Sequence, residues 1–128
     1  MLTEKDAKMD WIDSNIVVGS LLDAEEVVTL LRKDVDLIID ARLCFTHSPI
    51  QPVVGNVITS ANLLCVLSEH GARTLIHCVW GLDRTPFLAM VYSARKNGWS
   101  YQRAYEYVKL KHPNTIFHWD WVNLLPSL

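Results

Sequence analysis

The chain lacks the marks of a secreted, membrane-spanning or polyanion-binding protein. It has only three cysteines, Cys44, Cys65 and Cys78, an odd and scattered set without disulfide-framework or zinc spacing. That usage fits a reducing compartment. No apolar run reaches transmembrane length, and Met1 to Asp10 is charged, with no apolar core of a secretion signal. Twelve Lys and Arg against fourteen Asp and Glu leave a net charge of −2. No nucleic-acid partner is therefore expected, because phosphate neutralisation needs clustered cations. Repeats, linkers and low-complexity tracts are absent. His47, His70, His112 and His118 show no ligand spacing, so neither metal nor cofactor is implied. The expectation is a soluble, cytoplasmic chain, 1–128 forming a single domain with 1–10 as a polar lead-in.

Half of the 128 residues are apolar, enough to build a sizeable core. Within them one stretch is chemically distinctive: Ile76-His77-Cys78-Val79-Trp80-Gly81-Leu82-Asp83-Arg84-Thr85-Pro86. The run Thr74-Leu75-Ile76 before it reads as a buried strand, and Phe87-Leu88-Ala89-Met90-Val91 after it as a helix. Cys78 then sits where a strand ends and a helix begins. Backbone N–H groups converge at such a point and the helix start is partially positive, a ready anion site. Arg84 adds a permanent charge whose planar fork matches two oxygens of a phosphate. The features that hold a dianion also favour the thiolate, the nucleophilic form of cysteine. Gly81 allows a positive φ or a close backbone approach. The Thr85 hydroxyl is placed to donate to the sulfur, and His77 to hold Cys78 by hydrogen bonds. Val79, Trp80, Gly81, Leu82, Asp83 and Arg84 form the expected substrate-binding loop. Trp80 is expected to pack beneath it rather than line its rim.

His77-Cys78, five residues, then Arg84-Thr85 resembles the signature loop of the cysteine-dependent protein tyrosine and dual-specificity phosphatases. Two further stretches are similar to that superfamily: Asn15-Ile16-Val17-Val18-Gly19-Ser20 with Asp23-Ala24, and Ala104-Tyr105-Glu106-Tyr107-Val108-Lys109 through Pro113. The resemblance implies Cys78 as nucleophile, Arg84 as phosphoryl binder and Thr85 as helper of the second step. The substrate is then a phosphorylated protein, or a small phosphomonoester or phosphoinositide. A phosphate-binding module with weak turnover is the alternative from another class.

One departure from the pattern matters. The superfamily usually supplies a general-acid aspartate after a Pro-Ile pair, but here His47-Ser48-Pro49-Ile50-Gln51-Pro52 puts Pro52 there. Two replacements are open. Asp83, inside the loop, resembles aspartates of myotubularin-like and bacterial lipid and tyrosine phosphatases. Asp40, at a strand end beside Arg42, is the other.

The remaining elements follow from punctuation and period. Ile16-Val17-Val18 reads as a strand closed by Gly19-Ser20. Asp23 starts a helix whose Val27, Val28, Leu30 and Leu31 face inward. Asp36 to Asp40 reads as a fully buried strand, and residues 41–52 as a connector with a short strand near Cys44 to His47. A well-buried helix runs from Asn56 or Thr59 to Glu69, ended by Gly71. Thr85 to Lys96 forms a helix ended by Gly98, Ser100 caps another, and Thr115 starts a last one. Cys44 and Cys65 read as small core residues. The fold class expected is α/β: a small, mostly parallel central sheet flanked by helices, dual-specificity-phosphatase-like, with the phosphate-binding loop between strand and helix.

Overall fold

The computed structural model describes residues 9–127; the first eight residues of the expected lead-in lie outside them. Asp10 already belongs to a strand. In chain order the elements are β1 (Asp10–Trp11), β2 (Ile16–Gly19), α1 (Leu21–Glu25), α2 (Val27–Arg32), β3 (Leu37–Asp40), a 3-10 turn (Ala41–Cys44), α3 (Val54–Glu69), β4 (Thr74–His77), α4 (Arg84–Asn97), α5 (Tyr101–Lys111) and α6 (Trp119–Val122).

The four strands form one mixed sheet in the order β1-β2-β4-β3. β4 is central and parallel to both neighbours, with Ile76 opposite Val18 on one side and Ile39 on the other. β1 closes the far edge antiparallel to β2. All four residues of β2 and of β4 are buried, as expected of parallel strands covered on both faces. The main core lies between the sheet and α3, α4 and α5, and includes Val18, Ile76, Phe87, Leu88, Met90, Val91, Tyr105 and Val108. A smaller cluster of Val17, Leu30 and Leu75 sits on the opposite face. Phe45, Phe87 and Trp121 stack in edge and tilted contacts at 5.0–5.9 Å and fasten the 3-10 turn and α6 to the start of α4.

Six readings of the sequence change. Asp23 is the third residue of α1, not its cap. Ser20 is the cap and makes a reciprocal capping box with Asp23, the arrangement that satisfies two orphan N–H groups at once. The helix breaks at Glu26, and of the four apolar side chains expected to face inward on α2 only Leu30 is buried. β3 is half-exposed rather than fully buried, because it lies at the sheet edge with β4 as its one strand partner. α3 starts at Val54, and Leu63 and Val66 on its outer side are exposed. The short strand near Cys44 to His47 reduces to the 3-10 turn and a single bridge between Phe45 and Pro52. The last helix shrinks to Trp119–Val122, since Thr115 instead turns its hydroxyl onto the His112 carbonyl. The caps at Ser100, Gly71 and Gly98 hold, the two glycines at φ of 84° and 67°.

Candidate active site

β4 ends at His77 and α4 begins at Arg84, so residues 78–83 form the loop between them. Three distant segments grip its outer side. The Val79 carbonyl accepts from Leu21 N at 2.9 Å and the Leu82 carbonyl from Ile116 N at 2.6 Å. The Gly81 carbonyl lies 2.7 Å from His112 Nε2. Nearer the strand, His77 Nδ1 donates to the Cys78 carbonyl at 3.1 Å, a tie expected from the sequence.

Carbonyl groups thus face away from the loop's centre. Among the described residues, the N–H groups of residues 79–83 find no protein acceptor. A run of five unpaired donors following a buried cysteine is the signature of a nest for an anion. Gly81 makes the curvature possible. Its φ is 75°, and a Cβ there would overlap the Gly19 carbonyl.

Side chains extend the same pattern. Cys78 is buried. Arg84 is almost covered, and its Nε is buried with no hydrogen-bond partner among the described residues. A guanidinium left so is costly to bury unless a ligand completes it. Thr85 Oγ1 is likewise buried and unpaired. The sequence suggested a bond from this hydroxyl to the Cys78 sulfur, and that bond is not formed. Trp80 is 40% exposed, so it stands at the rim rather than beneath the loop. Leu82 is buried and packs the loop down.

The two carboxylates differ in what holds them. Asp40 is locked to Arg42: Nη2 donates to Oδ2 at 2.7 Å, Nε reaches both oxygens, and the Arg42 N–H donates to Oδ1 at 3.0 Å. Burial alone would raise its pKa, but these bonds outweigh it and hold the carboxyl below its ordinary value. The Arg42 guanidinium is in turn held further into its charged form by its hydrogen bonds to Asp40. Asp83 caps α4 through Oδ1, which accepts from Arg84 N at 2.7 Å and lies 3.7 Å from Arg84 Nε. Its Oδ2 faces His118 Nε2 at 3.3 Å.

Two histidines that sequence reasoning set aside therefore reach the loop. His112 is fully buried, with Nδ1 2.6 Å from Asp10 Oδ2 and Nε2 on the Gly81 carbonyl. Both neighbours are acceptors, so the ring clamps the loop to β1 through two N–H donors. Nothing in local spacing announces either contact; each closes over some thirty residues or more.

The fold is similar to that of solved dual-specificity phosphatases. A mouse protein described as a dual specificity phosphatase, complexed with zinc tungstate, superposes with a TM-score of 0.80 at 16% identity, covering 91% of this chain and 84% of that one. Human DUSP28 superposes equally well, at 16% identity over 91% of this chain and 90% of its own. Among curated proteins, human Protein phosphatase Slingshot homolog 2 is 39% identical over 53 residues. That stretch is 38% of this chain but 4% of Slingshot homolog 2, so the chain spans a small share of that relative. No family model matches.

Proposed function

We propose that this protein hydrolyses phosphomonoesters through a phosphocysteine intermediate, with phosphotyrosine, and after it phosphoserine and phosphothreonine, as substrates. The observation that carries this reading is the loop that follows the buried Cys78: the five N–H groups of residues 79–83 have no protein acceptor, and the buried Arg84 Nε at its end makes no hydrogen bond. In this reading Cys78 attacks phosphorus as thiolate, which divides the hydrolysis into two easier steps. The N–H groups of residues 79–83 and the Arg84 fork stabilise the equatorial oxygens as charge builds on them. Thr85 supports the departing sulfur in the second step. Trp80 at the rim offers a face to an aromatic ring of the substrate. The loop carries no lysine, which weighs against multiply phosphorylated head groups. Phosphatases among the similar proteins support the class of reaction.

The test is a turnover panel of p-nitrophenyl phosphate, phosphotyrosine peptide, phosphoserine peptide and phosphoinositides, run on the wild type and on Cys78→Ser. The expected result is turnover of the first two, abolished by Cys78→Ser, with tungstate binding retained in the variant. Tungstate binding without turnover in the wild type would establish the alternative, an oxyanion-binding module, and activity surviving Cys78→Ser would remove the nucleophile.

A further inference from the structure

The proposed reaction needs a proton for the departing oxygen, and Pro52 cannot supply it. Asp40 is committed to Arg42 by three side-chain hydrogen bonds. Asp83 remains, and its two oxygens are not equivalent. Oδ1 is spent on capping α4 and lies nearest Arg84. Oδ2 has His118 Nε2 as its neighbour at 3.3 Å. A proton on this carboxyl therefore belongs on Oδ2, facing the imidazole.

His118 is held for this contact by everything around it. Its backbone N–H donates to the Tyr105 hydroxyl at 3.1 Å. Its ring stacks on Trp121 at 3.9 Å between centroids and 20° between planes. Its Nε2 is buried, with no hydrogen-bond partner among the described residues. A buried ring nitrogen within reach of a carboxylate oxygen but out of line with it is how catalytic hydrogen bonds often look before substrate tightens them. The ionisable groups around the pair are Arg84 from α4, Tyr105 from α5 and Asp120 from α6. Tyr105 is pushed up to about 12, by burial first and then by Asp83 and Asp120 despite the His118 N–H, so it stays a neutral phenol across the working range.

We infer that His118 is the proton-holding partner of Asp83, and that the pair replaces the missing acid of this loop. This rests on the phosphatase reading above. In the first step the Cys78 S–P bond forms and the ester O–P bond breaks. The pair begins with one proton between Asp83 Oδ2 and His118 Nε2; the ester oxygen takes it from Oδ2, leaving Asp83 a carboxylate and His118 neutral. In the second step a water O–P bond forms and the S–P bond breaks, returning the thiolate. The proton lost by that water passes to Asp83 and back to His118. Alcohol and hydrogen phosphate leave, and the protein regains its starting charge. His118 acts through Asp83, as a positioning residue.

The test is a series of aryl phosphates graded by leaving-group basicity, measured on the wild type, Asp83→Asn, His118→Gln and the double variant. A positioned general acid contributes about 10²–10⁴-fold, and that contribution falls away as the leaving group improves. His118→Gln is expected to lose at least about tenfold on the most basic leaving groups and under about threefold on the least basic, with the same steepened slope as Asp83→Asn. The double variant should lose no more than Asp83→Asn alone, and added imidazole should restore His118→Ala toward wild type. Tungstate affinity of His118→Gln serves as the folding control and should not change. A loss that is uniform along the series, multiplicative in the double variant or deaf to imidazole overturns the pairing while leaving the phosphatase reading intact. No turnover of any aryl phosphate by the wild type sinks that reading, and the pairing with it.

Discussion

The two sides of the central strand are built to different standards. On one side, α4 buries ten consecutive residues, Thr85 to Ala94, directly behind the loop. On the other, α2 buries only Leu30, and Val27, Val28 and Leu31 of the same helix are exposed. The strands repeat the contrast: β4 is buried throughout, whereas Leu37 and Ile38 of β3 are exposed. Apolar content does not explain the difference, since α2 and β3 are richer in Val, Leu and Ile than α4. What differs is whether a second layer lies on top. The phosphatase reading proposed above requires a frame that does not relax, because a misplacement of about 1 Å can cost roughly 100-fold in rate. The tight packing falls where that demand is.

Breaking the frame at the loop should have the largest effect. Gly81→Ala forces an L side chain into a left-handed backbone, at about 1–2 kcal/mol, and drives its Cβ into the Gly19 carbonyl. Neither backbone segment can yield freely, as Gly19 ends a buried strand. We expect turnover of p-nitrophenyl phosphate to fall at least roughly 100-fold and the melting temperature to drop with it. Near-wild-type activity in this variant would mean that the loop tolerates movement, and the contrast drawn above would lose its functional meaning.

Packing itself separates the two sides more directly. Leu88→Ala removes a fully buried side chain from α4 and should cost about 2–5 kcal/mol in urea unfolding, transfer and cavity together. Leu31→Ala, on a residue 67% exposed, should stay within about 0.5 kcal/mol. Similar losses at both positions would show that α2 is covered in solution by something outside the described residues.

The same contrast marks how far the sequence could be read. The loop was legible because its chemistry is local: a cysteine, a glycine, an arginine and a threonine at fixed spacing between two apolar runs. Caps were legible for the same reason, since Ser100 bonds Arg103 N three residues on. Ser20 and Asp23 carried a capping-box spacing that attention to Asp23 alone overlooked. Burial of α2, β3 and the outer side of α3 was over-read. Periodicity tells which residues are apolar, not whether the chain has another layer to lay on them. His112 and His118 were invisible in principle. Their partners Gly81 and Asp83 lie across the chain, and only the fold of α5 and α6 back over the loop brings them together.

The smallest effect, and the sharpest use of the comparison, belongs to Asp40. It sits at the end of the loosely covered strand, yet directly across from His77 of the tightly packed one. Burial tends to raise its pKa from the ordinary 3.8, but the Arg42 side-chain and backbone bonds win and lower it. A carboxyl depressed in the folded state stabilises the protein above its unfolded pKa, and that contribution is lost as pH falls through the lower folded value. The pair is partly exposed, so the stabilisation is under about 1 kcal/mol. Asp40→Asn should therefore be slightly less stable than wild type at pH 7, and the gap should close below about pH 4. Its turnover should keep the wild-type dependence on leaving-group basicity, because a carboxylate already held by four bonds from one arginine has no proton to give. If Asp40→Asn instead steepens that dependence while Asp83→Asn does not, the acid comes from the β3 edge, and the exposed side of the sheet takes part in the chemistry.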